Sequence, residues 1–85
     1  METKQYQNAV AILLITTDPG AERKVMKLLE NVDEVAESLL LFGEYDIFVK
    51  IVCSDFGLLS AVVINKIRNI SGVETTKTLT VAPML

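Results

Sequence analysis

The sequence predicts an α+β fold of four strands and two helices in the order βαββαβ. Three observations lead there. Runs rich in Ile, Val and Thr alternate with stretches of helical periodicity. Two of the most apolar runs, residues 39–42 (LLLF) and 47–49 (IFV), are joined by only four residues, as in an antiparallel hairpin. The chain also repeats itself: Asn31-Val32-Asp33-Glu34-Val35 overlays Asn69-Ile70-Ser71-Gly72-Val73 at an offset of 38 residues, and the same offset lays residues 9–15 over 47–53. Two equivalent βαβ halves closing one four-stranded antiparallel sheet, with both helices on one face, make the ferredoxin-like arrangement. Strand twist makes both crossovers right-handed.

The first strand spans residues 9–17 (AVAILLITT), apolar enough to be buried on both faces, and ends at Asp18-Pro19-Gly20. Asp18 is expected to cap the first helix, with Pro19 at its first position and Glu22 in its first turn. Val25, Leu28, Leu29 and Val32 then recur at helical spacing over residues 19–31. Residues 35–42 and 45–53 are the hairpin strands, and Gly43 supplies the positive φ that a short hairpin turn needs. Ser54-Asp55 offers a second cap. Leu58, Leu59, Val62, Val63, Lys66 and Ile67 trace the second helix, which Ser71-Gly72 stops. The last strand, residues 73–81, is rich in Thr and ends at Pro83.

Eighty-five residues make one domain, 1–85, with a polar extension over residues 1–8. A chain this short buries only about 60–65% of its unfolded surface. Yet 51% of its residues are hydrophobic, none is Trp, and the mean hydropathy is +0.42. That aliphatic surplus predicts self-association. Strand phase says where. If Ala11, Leu13, Ile15, Val49, Ile51 and Cys53 face the helices, then Val10, Ile12, Leu14, Phe48 and Val52 point the other way. Burying such side chains stabilises by roughly 1.5–3 kcal/mol each, so two sheets packed face to face, a twofold dimeric α/β sandwich or barrel, are expected. Lys50 shares that face and is expected near its rim.

Several function classes are disfavoured. No window reaches the 18 or more apolar residues of a membrane span, and residues 1–8 lack the apolar core of a signal peptide; a soluble, cytoplasmic chain is expected. Cys53 is the only cysteine and His is absent, so neither a Cys/His metal site nor an internal disulfide is expected, and no cofactor. Cys53 falls at an inward position and reads as a small buried hydrophobe. The net charge of −3 and a pI near 4.8 speak against direct DNA binding. The basic run Arg23-Lys24-Val25-Met26-Lys27 shares its helix with Glu22 and Glu30 and reads as a solvated face. Without His, a nucleophile elbow, a P-loop or a dinucleotide fingerprint, an enzyme is not expected.

Three places carry chemistry beyond folding needs. The hairpin tip Gly43-Glu44-Tyr45-Asp46 holds two carboxylates and an aromatic ring. Glu44 and Asp46 suit a ligand ammonium and the tip N–H groups a carboxylate; a solvated turn with Tyr45 lying over the sheet explains the same residues. Thr76, Thr78 and Thr80 share one face of the last strand and would line a polar pocket, though strand propensity also accounts for Thr. Asp18-Pro19-Gly20 is a strand-to-helix turn of the kind that binds small anions, and capping explains it equally.

Taken together, an apolar strand ending in Pro19-Gly20, a helix, a Val opening the next strand, Gly43-Glu44-Tyr45-Asp46, Asp55 at the second helix start, and Gly72-Val73 followed by Thr76 and Thr78 resemble the effector-binding domain of Lrp/AsnC regulators. That is the regulation of amino acid metabolism (RAM) domain, and the resemblance covers residues 9–81. It implies a fold that dimerises through its sheets, assembles into octamers, and binds an amino acid or related metabolite between dimers near the hairpin tip. Carried over, the ligand residues are Gly43, Glu44, Tyr45 and Asp46, with Thr76 and Thr78. Family members usually carry a helix-turn-helix domain, for which no sequence is seen here. A stand-alone form acting indirectly, through full-length Lrp/AsnC regulators, is therefore expected. The runner-up resemblance is an ACT domain, with its ligand at Thr17-Asp18-Pro19-Gly20. Small dimeric α/β-barrel enzymes and a purely structural oligomerisation module are the remaining alternatives.

Overall fold

Strict alternation along the first apolar run buries Ala9, Ala11, Leu13, Ile15 and Thr17 on one side and leaves the residues between them half-buried. This run is β1 (Ala9–Thr17), the axis of the molecule. The computed structural model describes residues 8–82. After β1 come α1 (Glu22–Glu30), β2 (Val35–Leu40), β3 (Ile47–Cys53), α2 (Phe56–Val62), a π-helical turn (Val63–Ile67) and β4 (Val73–Thr80). The sheet runs β2-β3-β1-β4 with every neighbour antiparallel, the ferredoxin-like topology that the repeat predicts. Of the polar extension only Asn8 is among the described residues, and Pro83 lies outside them.

One face of the sheet meets the helices. Leu13, Ile15, Val49 and Ile51 pack against Val25 and Leu29 of α1 and against Leu59, Val62, Val63 and Ile67 of the second helical segment. Cys53 belongs to this core. Burial pushes its thiol pKa up, and Glu34 and Asp55 add to the rise, so it behaves as the small hydrophobe expected.

The two helices start differently. At α2 the expected cap is present: the Asp55 carboxylate accepts the Leu58 N–H at 2.8 Å. At α1 it is not. Ala21 holds the cap position without a side-chain bond, and the helix begins at Glu22. Pro19 and Gly20 instead occupy the centre of a tight turn closed from Ala21 N–H to Asp18 C=O at 3.0 Å, with Gly20 at φ +83°. Pro followed by a positive-φ Gly is the type II signature, so Pro-Gly here turns the chain before the helix instead of opening it.

The second helix carries a conflict in its sequence. Continued as a regular α-helix, the stripe of Leu59, Val62 and Val63 would bring Lys66 to its centre. The chain widens by one turn there, with Arg68 N–H reaching Val63 C=O at 3.0 Å across five residues. A wider turn advances fewer degrees per residue, which carries Ile67 into the core and Lys66 out to an ion pair with Glu34 at 3.0 Å.

The other sheet face is uncovered in a single chain. Val10, Ile12, Leu14, Phe48 and Val52 are half-buried there. The pairings Leu39↔Phe48 and Ile12↔Leu79 add Leu39 and Leu79, each about half exposed. Lys50 does not lie at the rim: it stands mid-strand on β3, between Ile12 and Glu37 in register. The extra residue between Val35 and Glu37, a β-bulge, is what brings Glu37 opposite it.

Gly72, at φ +102°, sits where the second helical segment turns into β4. A Cβ there would come within 2.9 Å of Val25 Cγ2 and 3.0 Å of the Ala21 Cβ. Gly72→Ala is therefore expected to destabilise the fold by about 2 kcal/mol or more, lowering Tm by roughly 8–16 °C for a domain of this size. Calorimetry checks this, and an unchanged Tm would refute the close packing of this turn on α1.

Candidate functional site

The hairpin tip is built by one residue used three ways. Asp46 donates its N–H to Ile15 C=O at 2.8 Å, and its C=O accepts Leu41 N–H at 2.8 Å, closing the hairpin. Its carboxylate Oδ2 accepts the Thr17 N–H at 2.8 Å, with the Thr17 hydroxyl at 3.5 Å. The regular β1–β3 pairing ends at Ile15↔Ile47. A side-chain oxygen thus takes over where the next backbone carbonyl would act, and the chain is released from the ladder at Tyr45. Among the described residues, none accepts a backbone hydrogen bond from Phe42, Gly43, Glu44 or Tyr45. Gly43 has the positive φ expected of it, +133°; Glu44 is exposed and Tyr45 half-buried. The hairpin strands are shorter than the expected 35–42 and 45–53: β2 ends at Leu40 and β3 begins at Ile47.

The threonines lie elsewhere. Ile15↔Thr76 and Leu13↔Thr78 place both on the helix-facing side of β4, an edge strand. There they line an open groove of about 480 Å³, together with Val63 and Arg68 at the π turn and with Val73, Glu74 and Thr75. On the far side of Thr75, the Thr16 hydroxyl lies in contact with the Thr75 hydroxyl and donates to Glu74 Oε1 at 3.4 Å. The groove offers a guanidinium, a carboxylate and hydroxyls over two Val side chains, which suits a small zwitterion or anion.

Within one chain the tip and the groove form two surfaces. Both lie at the end of the sheet where β1 finishes, and Ile47, Ile15 and Thr76 stand in one cross-strand row. Two strand spacings, about 9–10 Å, separate the tip's root from Thr76, and no hairpin-tip residue lines the groove. Sequence reasoning missed Arg68 and Glu74. The crossover brings the end of the second helix beside the start of β4, so their neighbourhood is implied; the π turn that aims Arg68 is not. Asp18 carries no cap, but its N–H ties the same end together by donating to Gly72 C=O at 2.8 Å. No group of three or more metal-ligating side chains occurs among the described residues.

The Asp46 carboxylate makes a prediction separable from ligand binding. Thr17 is buried, so Asp46→Ala strands its N–H and is expected to cost about 1–3 kcal/mol in urea unfolding. Asp46→Asn keeps a carbonyl acceptor and is expected to lose less. Equal losses for the two would show that the bond to Thr17 is not what holds the tip.

Comparison with known proteins places this geometry. Residues 10–82 match the family model described as the Lrp/AsnC ligand binding domain. The regulatory protein AsnC of Escherichia coli (strain K12) is 43% identical over 53 residues, 62% of this chain and 35% of that protein. The chain thus matches about a third of the length of this curated relative. Among solved structures, FFRP-DM1 superposes with a TM-score of 0.84 at 32% identity, covering 87% of this chain and 99% of the other. The structure of E. coli AsnC gives 0.80 at 32% identity, covering 100% of this chain and 60% of that one.

Proposed function

Because the chain belongs to the family of Lrp/AsnC ligand-binding domains, we propose that residues 1–85 act as one effector-binding and oligomerisation domain, without catalytic activity of their own. The ligand is an amino acid or a related small metabolite, and the effect is exerted on transcription or amino-acid metabolism through protein partners, full-length Lrp/AsnC regulators among them. Direct DNA binding is no part of this reading, which the acidic charge supports. A cytoplasmic location goes with it; among the described residues no helix is long and apolar enough to cross a membrane.

The observation that carries the reading is the tip held by Asp46. The backbone N–H groups of Phe42, Gly43, Glu44 and Tyr45 face no acceptor among the described residues, and Glu44 stands exposed beside them. Such a tip can take a carboxylate on the backbone and an ammonium on Glu44. Gly43, Glu44, Tyr45 and Asp46 from one chain, with Thr76 and Thr78 from the groove, are the proposed ligand residues. Since the two surfaces do not meet within a chain, the site is completed between dimers. Ligand occupancy and assembly are then linked, because a ligand favours the oligomer that completes its site.

The assembling unit is a dimer joined through the open sheet face at Val10, Ile12, Leu14, Phe48 and Val52, and four such dimers make an octamer. Light scattering at micromolar concentration is expected to show no monomer; a monomer would overturn the sheet pairing.

For the ligand, a thermal-shift screen of the twenty amino acids is decisive. A binder at tenfold its Kd adds roughly 1.4 kcal/mol, which is several degrees in Tm. Thr76→Val and Glu44→Gln leave the Asp46 clamp intact and are expected to reduce that shift. If no amino acid shifts Tm at millimolar concentration, the effector reading fails and a structural oligomerisation module takes its place.

A further inference from the structure

The open sheet face carries a charge at its centre. Lys50 is half-buried there, flanked along β3 by Phe48 and Val52. Ile12 stands opposite it on β1, and Leu79 lies one strand further. On its other side, in register, is the carboxylate of Glu37 on β2, and the chain departs from a regular ladder to put it there. Continued from Val35↔Ile51, the pairing would set Ala36 opposite Lys50 and turn Glu37 to the helix-packed side, opposite Val49. The bulge gives Val49 Ser38 instead and brings Glu37 out beside Lys50. Yet the two do not bond. Among the described residues, the lysines that find side-chain partners are Lys24, on Ser71, and Lys66, on Glu34. Lys77 shares the sheet face, but on the edge strand β4, where it is exposed.

An open pair is ordinary while water covers it, since hydrated charges at a surface gain little from meeting. A second sheet laid over the face changes that. Covering Lys50 strips its ammonium of water, and a buried ammonium without a counter-charge is strongly destabilising. We propose that Lys50 and Glu37 are a selectivity lock in the sheet-paired dimer: hydrated and separate in a single chain, closed into an ion pair when a second copy covers the face. The lock rests on the reading above in one respect, that a second copy is what covers the face. It adds a reason for the face to choose among partners. A wholly aliphatic face would accept other apolar sheets as readily as its own. A charged pair at its centre admits a sheet whose charges balance there and rejects one that brings an excess of either sign. Closing the pair contributes little net affinity, so it acts on partner choice and not on tightness. The bulge and the central lysine, each unfavourable alone, then have one explanation.

Dimer Kd from analytical ultracentrifugation and subunit exchange by native mass spectrometry test it. Lys50→Glu leaves two carboxylates on the row, and Glu37→Lys leaves two ammonium groups. Each is expected to raise the dimer Kd by about a hundredfold or more while keeping its circular dichroism. Mixed in equal amounts, the two variants are expected to form the heterodimer, because their charges balance between chains. Lys50→Glu combined with Glu37→Lys is expected to recover the homodimer, which a misfolded chain cannot do. Lys50→Met combined with Glu37→Gln is expected to dimerise at least as tightly as the wild type. Single reversals that dimerise like the wild type overturn the lock, as does a mixture that yields no heterodimer or a neutral double variant that no longer dimerises. Leu14→Asp separates that failure from failure of the underlying reading, since it is expected to abolish any dimer formed through the sheet face. A wild-type monomer, or a dimer untouched by Leu14→Asp, overturns the sheet pairing and the lock with it.

Discussion

The geometry of this molecule's hairpin end depends on the hydrogen bond from the Thr17 backbone N–H to the Asp46 carboxylate. Backbone pairing must stop somewhere for a hairpin tip to leave the sheet, and stopping strands a buried N–H on the neighbouring strand. Asp46 resolves this by lending a side-chain oxygen to the place a carbonyl would occupy. The strand end stays satisfied, while Phe42, Gly43, Glu44 and Tyr45 are freed to project. Because Asp46 also closes the hairpin through Leu41 and pairs with Ile15, the tip is rooted by three bonds at one residue. Its free end can be chemically open without being loosely attached.

The same logic appears at the π turn. A regular helix would have had to bury Lys66, and one widened turn exchanges it for Ile67. Lys66 then meets Glu34, and the hydrogen bond from its ammonium holds the Glu34 carboxyl below the usual range. That contribution is present above the ordinary carboxylate pKa and fades as acid protonates Glu34. On an exposed pair it is small. The larger consequence is geometric: the turn that removes Lys66 from the core also sets Arg68 and Val63 on the wall of the β4 groove.

These two devices mark the boundary of what the sequence makes legible. Period-two alternation in β1 and β3, the 38-residue repeat and the Asp55 cap suffice to read the topology, the core and the open sheet face, because each is a local pattern that tertiary packing reinforces. Gly43 is readable for the same reason. The bond between Asp46 and Thr17 is not, because only register shows which backbone N–H a carboxylate at a hairpin tip faces. Asp18 fails as a cap because Pro-Gly satisfies helix-start and type II turn signals alike, and only the backbone chooses. The Glu37 opposite Lys50 is hidden because a bulge in β2 cannot be counted from composition. Arg68 is invisible because its direction depends on a single inserted helical residue.

The filled core is what makes a shared site the economical form of the proposed function. Among the described residues fourteen buried apolar side chains, nearly all of them Leu, Ile, Val or Ala, occupy the space between sheet and helices, and the β4 groove is open to solvent. A pocket that holds a small molecule well covers most of its surface. A domain whose interior is packed in this way leaves little room for such a pocket between its sheet and helices. Enlarging the core would cost the stability a domain this size cannot lose. In the proposed reading, enclosure comes from a second copy closing over an exposed concavity. An open tip, rigidly rooted and set beside other chemistry at one end of the sheet, is what such a closure requires. In the proposed reading the filled core, the aliphatic surplus and the rooted tip serve one end, a ligand site closed by association rather than by folding.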